Sequence, residues 1–413
     1  MAQALLLKEM MHNTPPQSPL RVLFYLPVIT PWWFENIVIH LIRKLASDHE
    51  VHVMVPPLWR NTGVGPDQVP LIADLAHVHW HVLDGPDHPL LRTNASDQAD
   101  LIELVREIGP QITLCRSADI KTPALFPGRV RYIMEAAAPP FETEPQWVWL
   151  APTLFDAGIL PKFTHAQTAQ LDRLAEQLWP DVHAAIERVP SRHGFLIETG
   201  ITPDRAIIGL ALEYEHEENF FLQHHPYLSN AAMICAILDQ LDERHVLAIT
   251  NHPLNELYSD NSAIEQAVAT SNGNAILLKN GETAGQTTLS LAQHASGMII
   301  ANSKSWCACA AQGVPFLRLS KFANADWLGT YNNMPEFLTD IASGKARRPD
   351  PKLARRWFGY HLANNAFDPA ADNLSSEEII DRALIPNAPE RWTESIARYR
   401  AQHNKTELET MNV

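Results

Sequence analysis

Short apolar runs alternate with amphipathic stretches along most of this 413-residue chain, and this alternation narrows its possible folds most sharply. Arg21-Val-Leu-Phe-Tyr-Leu-Pro27 reads as a buried parallel strand. Residues Pro31 to Ala46 then place Phe34, Ile37, Val38, Leu41, Ile42 and Leu45 on one helical face. Val51-His-Val-Met-Val55 is the next strand, which completes a βαβ unit. Strands at 78–83, 111–115 and 130–134 follow, with a helix at 97–108. A long helix at 166–188, holding Pro180, separates this half from a second one. There the strands are 206–212, 245–250, 275–278, 297–301 and 314–319, and the helices between them are 228–241, 263–270, 289–295 and 306–312.

The pattern predicts an α/β chain of two doubly wound, Rossmann-like domains facing a cleft. The expected division is a loose lead-in at 1–19, an N-terminal domain at 20–195, a C-terminal domain at 196–345, and helices with a polar tail at 346–413. Hydrophobic residues make up 46% of the chain, enough for a core in each half. The net charge of −15 argues against a broad nucleic-acid surface, which needs clustered Lys and Arg. Cys115, Cys235, Cys307 and Cys309 are too scattered for a disulfide framework, and they read as buried free thiols of a reducing compartment. The apolar run Ala4 to Leu7 is too short for a signal core, and no window is long enough for a membrane span. A cytoplasmic protein is expected, with contact at the inner face of the membrane allowed.

Ligands of doubly wound sheets sit beyond the carboxyl ends of the strands, so the residues just after each strand are the candidates. Pro27-Val-Ile-Thr-Pro31 stands where a nicotinamide-dinucleotide enzyme would carry its glycine fingerprint, and there is no phosphate loop of the Walker type. After 297–301 comes Asn302-Ser-Lys-Ser-Trp306, followed by Cys307-Ala-Cys-Ala-Ala311 and Gly313. Asn302, Ser303, Lys304 and Ser305 suit phosphate binding, or the first two simply cap the helix. Thr250-Asn-His-Pro253 offers His252 for a phosphate or carboxylate, or as a structural turn residue. Glu213-Tyr-Glu-His-Glu-Glu218 is a solvated charge run or a source of a nucleophile or base. Glu213 and Glu215 share one parity if the strand continues, so both would face one side, with His216 between the acids. Glu135 ends a strand of the first half and would face them across the cleft. Two such carboxylates suit glycosyl chemistry. Arg60 and the segment Arg116-Ser-Ala-Asp119 also follow strands and suit a carboxylate ligand or local ion pairs.

Taken in order, these pieces resemble the bacterial capsule and O-antigen retaining β-Kdo glycosyltransferases, which have the B-type two-domain architecture. The likeness runs from about 130 to 330. It rests on Arg131-Tyr-Ile-Met-Glu135, on Ile207 to Glu218, on His252-Pro253, on Asn302-Ser303 with Gly313-Val-Pro315, and on Ala325-Asp-Trp-Leu-Gly329. Thr250-Asn251 stands where that family often has a Lys, and the acidic cluster holds Glu without Asp. The resemblance implies transfer of Kdo or a related acidic sugar from its CMP ester to a growing surface polysaccharide or lipopolysaccharide. The acceptor is a saccharide and can be lipid-linked. It implies retention through a Glu adduct, with Glu213, Glu215 and Glu135 catalytic and with His252, Asn302, Ser303, Lys304, Ser305 and Arg116 holding the donor. It implies no cofactor and no metal, since the leaving group is a phosphate monoester. A nucleotide-sugar epimerase or hydrolase of the same architecture, and a non-catalytic sugar- or anion-binding protein, are the other readings of the same residues.

Overall fold

The structure, a computed structural model, describes residues 19–75, 77–83, 88–95, 99–279 and 284–410. The expected lead-in at 1–19 lies almost wholly outside the described residues. Two compact units emerge, residues 1–133 with 369–384 and residues 134–368 with 385–413.

In the first unit, β1 (Arg21–Tyr25) is the hub. Val22, Leu23, Phe24 and Tyr25 are all fully buried, as a parallel strand covered on both faces requires. It pairs in parallel with β2 (Glu50–Val55), Val22 lying opposite Val51, and with β4 (Ile112–Cys115), Val22 lying opposite Ile112. β2 pairs with β3 (Val78–Val82), and β4 with β5 (Arg129–Glu135). With β6 (Val148–Ala151) the sheet order is β3-β2-β1-β4-β5-β6, a doubly wound order. The last two residues of β5, like β6, belong to the second unit. The helix expected at 31–46 forms in three pieces, Pro31–Trp33, a π-helical Phe34–Val38 and Ile39–Leu45, with Thr30 capping its start. Helix α1 (Ala99–Ile108) buries Leu101, Ile102, Val105 and Ile108.

The second unit holds β7 (Ala206–Ala211), β8 (His245–Thr250), β9 (Ala275–Leu278), β10 (Gly297–Ile300) and β11 (Phe316–Arg318). All its pairings are parallel, in the order β11-β10-β7-β8-β9. The same winding therefore occurs twice. Gly209 keeps the middle of β7 bare, because a Cβ there would lie 2.1 Å from Met298 Sδ and 3.0 Å from Leu291 Cγ. Around this sheet lie α2 (His165–Glu187), α3 (Asn230–Leu238), α4 (Pro253–Tyr258), α5 (Trp306–Gln312) and α6 (Met334–Ala342), with α7 (Pro351–Tyr360) beyond. Helix α2 continues through Pro180.

The division between units falls at residue 133, not at the expected 195. The reason is α2, which packs on α7 inside the second unit. Gly359 lets the two helices approach until its missing Cβ would be 3.1 Å from Ala175 Cβ, and Arg356 pairs with Asp172 through two bonds of 2.9 and 3.0 Å. The expected C-terminal segment is likewise split. Residues 369–384 join the first unit, where Ser376 Oγ donates to Asp48 and Lys44 Nζ donates to Ala371 O at 2.9 Å. Of the four cysteines, Cys115, Cys307 and Cys309 are buried as expected, but Cys235 lies on the exposed side of α3. No helix among the described residues is long and apolar enough to cross a membrane.

Candidate functional site

The carboxyl ends of β7, β8 and β10 in the second unit collect most of the residues singled out in the sequence. Strand β7 ends at Ala211, two residues before the acidic run, so strand parity no longer governs Glu213 and Glu215. The expectation that both face one side is corrected accordingly. The Glu213 carboxylate turns toward the loop after β10 and accepts the backbone N–H of Asn302, with Ser303 N–H also turned on it. The carboxylate of Glu215 turns the other way and accepts the N–H of Asn230 at 2.7 Å, at the first turn of α3.

Two asparagines hold the loop in this shape. Asn230 Nδ2 and Asn255 Nδ2 donate to Glu213 O at 2.9 and 2.8 Å, while Glu215 N–H donates to Asn255 Oδ1 at 2.7 Å. Ser259 Oγ then donates to Glu215 O at 2.7 Å. His216 serves the loop itself, its Nδ1 accepting Glu218 N–H at 3.3 Å and its ring stacked on Tyr214. A small pocket of about 230 Å³ opens beside this turn, lined by Glu215, His216, Ser259, Asp260 and Asn261 among others.

Burial raises the pKa of Glu213, and His225, the two backbone N–H groups and Arg318 pull the other way. Neither His225 nor Arg318 stood out in the sequence. Arg318, at the end of β11, is 2% exposed, and burial lowers its pKa to about 10, which leaves it cationic at neutral pH. Its guanidinium is anchored by Ala323 O at 3.1 Å, Asn324 Oδ1 at 2.5 Å and Phe155 O. His225 Nδ1 lies 2.7 Å from Tyr227 O and 3.2 Å from Tyr227 N, and its Nε2 is buried with no hydrogen-bond partner among the described residues. A His-His-Pro sequence in a loop carries no periodic signal, and a buried Arg at the end of a strand reads as a core error until its carbonyl partners are known.

The loop Asn302 to Ser305 runs from Glu213 to Glu135. Asn302 N–H touches Glu213, and two residues later Lys304 Nζ donates to Glu135 O at 2.6 Å and lies 3.5 Å from Glu135 Oε2. Ser303 Oγ and Ser305 Oγ are 2.8 Å apart, and Ser303 Oγ accepts Ser305 N–H at 3.2 Å. Asn302 is pinned from both ends of its amide, Nδ2 donating to His224 O and Oδ1 accepting from Ser320 Oγ. The helix-cap reading does not hold for these residues, since Ser305 precedes α5 and no side chain caps it.

His252 stands at the N-cap of α4, its Nδ1 accepting Leu254 N–H at 3.3 Å, which leaves the proton on Nε2. Burial lowers its pKa to about 4 against the opposing pull of Glu135. It is therefore a neutral hydrogen-bond donor at pH 7, not a cation. Glu135, Lys304, Asn302, Ser303, Glu213 and His252 thus form one constellation within the second unit. Arg116 belongs to the first unit, where its guanidinium lies 3.7 Å over the Trp33 ring and donates to Ile133 O at 3.1 Å. Arg60 also lies there, 4.5 Å over the Trp59 ring.

No protein-family profile matches the chain, and no curated protein sequence matches it. Solved structures do. A β-Kdo 2,7 transferase, KpsC of Thermosulfurimonas dismutans, is similar over 80% of this chain and 98% of its own, at 10% identity and a TM-score of 0.43. An O-GlcNAc transferase mutant from Thermobaculum terrenum covers 94% of this chain and 70% of its own, at 13% identity and a TM-score of 0.35. A putative UDP-N-acetylglucosamine 2-epimerase from Listeria monocytogenes covers 90% and 98%, at 13% identity and a TM-score of 0.33. Strand order within each sheet, not these likenesses, establishes that the chain contains two Rossmann-like units.

Proposed function

We propose that this chain is a retaining glycosyltransferase. It moves Kdo or a related acidic sugar from its CMP ester to a saccharide of a bacterial surface polysaccharide, in the cytoplasm or at the inner face of the membrane. The observation that carries this reading is the loop Asn302 to Ser305, which touches one carboxylate with its first residue and another with its third.

Glu213 is the nucleophile. Its oxygen attacks the anomeric carbon, the bond from that carbon to the CMP phosphate breaks, and CMP leaves with the electron pair. A phosphate monoester is a good enough leaving group to depart without a proton. The sugar is then an ester of Glu213. An acceptor hydroxyl attacks the same carbon from the opposite face, Glu213 leaves as carboxylate, and Glu135 takes the hydroxyl proton. Two inversions give net retention. The backbone N–H groups of Asn302 and Ser303 and the cation of Arg318 stabilise the Glu213 anion as it departs. Lys304, the Ser303 and Ser305 hydroxyls and the Nε2–H of His252 are donors suited to phosphate and carboxylate oxygens of the donor. Glu215, whose carboxylate is spent on α3, is a positioning residue.

Intact-protein mass spectrometry after mixing with CMP-Kdo tests this. The mass should rise by one sugar residue, the adduct should vanish in Glu213→Gln, and it should persist in Glu215→Gln. An adduct retained by Glu213→Gln would reject the nucleophile. Donor turnover that ignores every acceptor saccharide would move the reading to a nucleotide-sugar hydrolase or epimerase.

A further inference from the structure

The first unit carries a second constellation, at the opposite end of its sheet from the strand-end loops. β2 begins Glu50-Val-His52 and β3 reads Val78-His-Trp-His-Val82. The parallel register sets His52 opposite His79 and Met54 opposite His81. Side chains two apart along a strand share a face, so Glu50, His52, His79 and His81 all lie on one side at the sheet edge. Their contacts follow. His52 Nε2 is 3.0 Å from Glu50 Oε1, His79 Nε2 is 3.8 Å from the same oxygen, and His52 Nδ1 is 2.9 Å from His81 Nε2. The three imidazoles are stacked, with His52 4.8 Å from His79 and 5.2 Å from His81 between ring centres.

We propose that Glu50 Oε1, His52 Nε2 and His79 Nε2 form a binding site for one divalent first-row transition-metal ion, of which zinc fits best, with His81 orienting His52. The three donor atoms all lie within 4.8 Å of one another. Zinc bonds of about 2.0–2.2 Å place tetrahedral ligands about 3.4 Å apart. The pair at 3.0 Å is already close to that spacing, and the His79 side chain, 51% exposed, is free to close the remaining gap. Two imidazoles and one carboxylate select zinc, nickel or copper over calcium or magnesium, which prefer oxygen alone. Water completes the coordination.

The fourth histidine supports the assignment. When the metal takes the His52 Nε2 lone pair, the His52 proton sits on Nδ1 and donates to His81 Nε2, the outer hydrogen bond that ligating histidines ordinarily make. β3 is the edge strand of its sheet, so an ion here would clamp it to β2.

The experiment uses the full chain without a polyhistidine tag, stripped with a chelator and titrated calorimetrically with zinc ion. The chain has 19 histidines, so variants decide the matter. One site per chain is expected. Its affinity should fall by at least about 100-fold in His79→Ala and Glu50→Gln, both partly exposed positions that tolerate change, and roughly 10- to 100-fold in His81→Ala. Cobalt(II) should give the intense visible bands of a tetrahedral site, absent from His79→Ala. No zinc binding to the wild-type chain, or affinity and cobalt bands unchanged in both His79→Ala and Glu50→Gln, would overturn the assignment.

Discussion

The two units share one winding order but use the polar residues after their strands in different ways. In the first, Asp119, four residues beyond β4, is buried, and its carboxylate accepts the N–H groups of Ala95, Lys121 and Thr122 and the Thr122 hydroxyl. Arg92 is buried on Thr62 Oγ1, Thr62 O and Pro57 O. In the second, Glu213 stands two residues beyond β7 and accepts from a loop that ends on another acid. One acid is saturated by its own neighbourhood and holds a turn together. The other is buried against two backbone N–H groups at a desolvation cost, which suits the nucleophile proposed above. Strand-end position nominates both residues, and on the proposed reading the number of local donors separates the structural acid from the chemical one.

Replacing each acid by an uncharged residue should separate the two roles. Glu213→Gln should lower turnover with donor and acceptor by at least about 10³-fold. Removing a desolvated charge should leave its melting temperature equal to or above that of the parent. Asp119→Ala should do the reverse. It strands several buried donors and should cost roughly 3–5 kcal/mol in urea unfolding, with CMP affinity unchanged in the folded fraction. A Glu213→Gln protein that keeps its activity, or an Asp119→Ala protein of parental stability, would break the comparison.

Acid sharpens it further. His361 in the second unit is buried, with its Nε2 on Ala136 O at 2.7 Å, and burial lowers its pKa to about 4, as it does for His252. Both groups have depressed folded-state values, so the stability they contribute is present above the unfolded value of about 6.5 and is lost as pH falls toward 4. For His361 this is on the order of 3 kcal/mol. Hydrogen exchange between pH 7 and 4 should show protection falling around residues 136–151 and 357–365. His361→Gln should flatten that slope.

The smallest effect should come from Glu215→Gln. Its carboxylate serves the start of α3, where Ser229 also caps, so about 1 kcal/mol of stability and less than about tenfold in turnover are at stake. A loss as large as that of Glu213→Gln would merge the two acids' roles again.

Much of this was legible in the sequence. Strands such as Arg21 to Leu26 and Ala206 to Leu212 announce themselves because a strand buried on both faces must be continuously apolar, and ten of the eleven described strands were legible as short runs rich in strand formers. β6 did not, since four residues around Trp149 carry no period of their own. The short helices Arg192–Thr199 and α4 were missed for the same reason. The candidates after β7, β8, β10 and β5 were legible by position, but their division of labour was not. Glu213 and Glu215 look alike in the sequence. They part only because Asn230 and Asn255, 17 and 40 residues downstream, seize the backbone between them.

The chain by itself therefore determined its layers and the strand-end positions, because periodicity and burial are local properties carried by residue type. Which acid meets the Asn302 loop, that Arg318 and His225 bear on it, that α2 belongs to the second unit, and that Glu50 meets His52 and His79 were decided only in the tertiary structure. Each depends on hydrogen bonds, strand register or helix contacts between segments brought together by folding, and no local pattern encodes a donor's distance from an acceptor elsewhere in the chain.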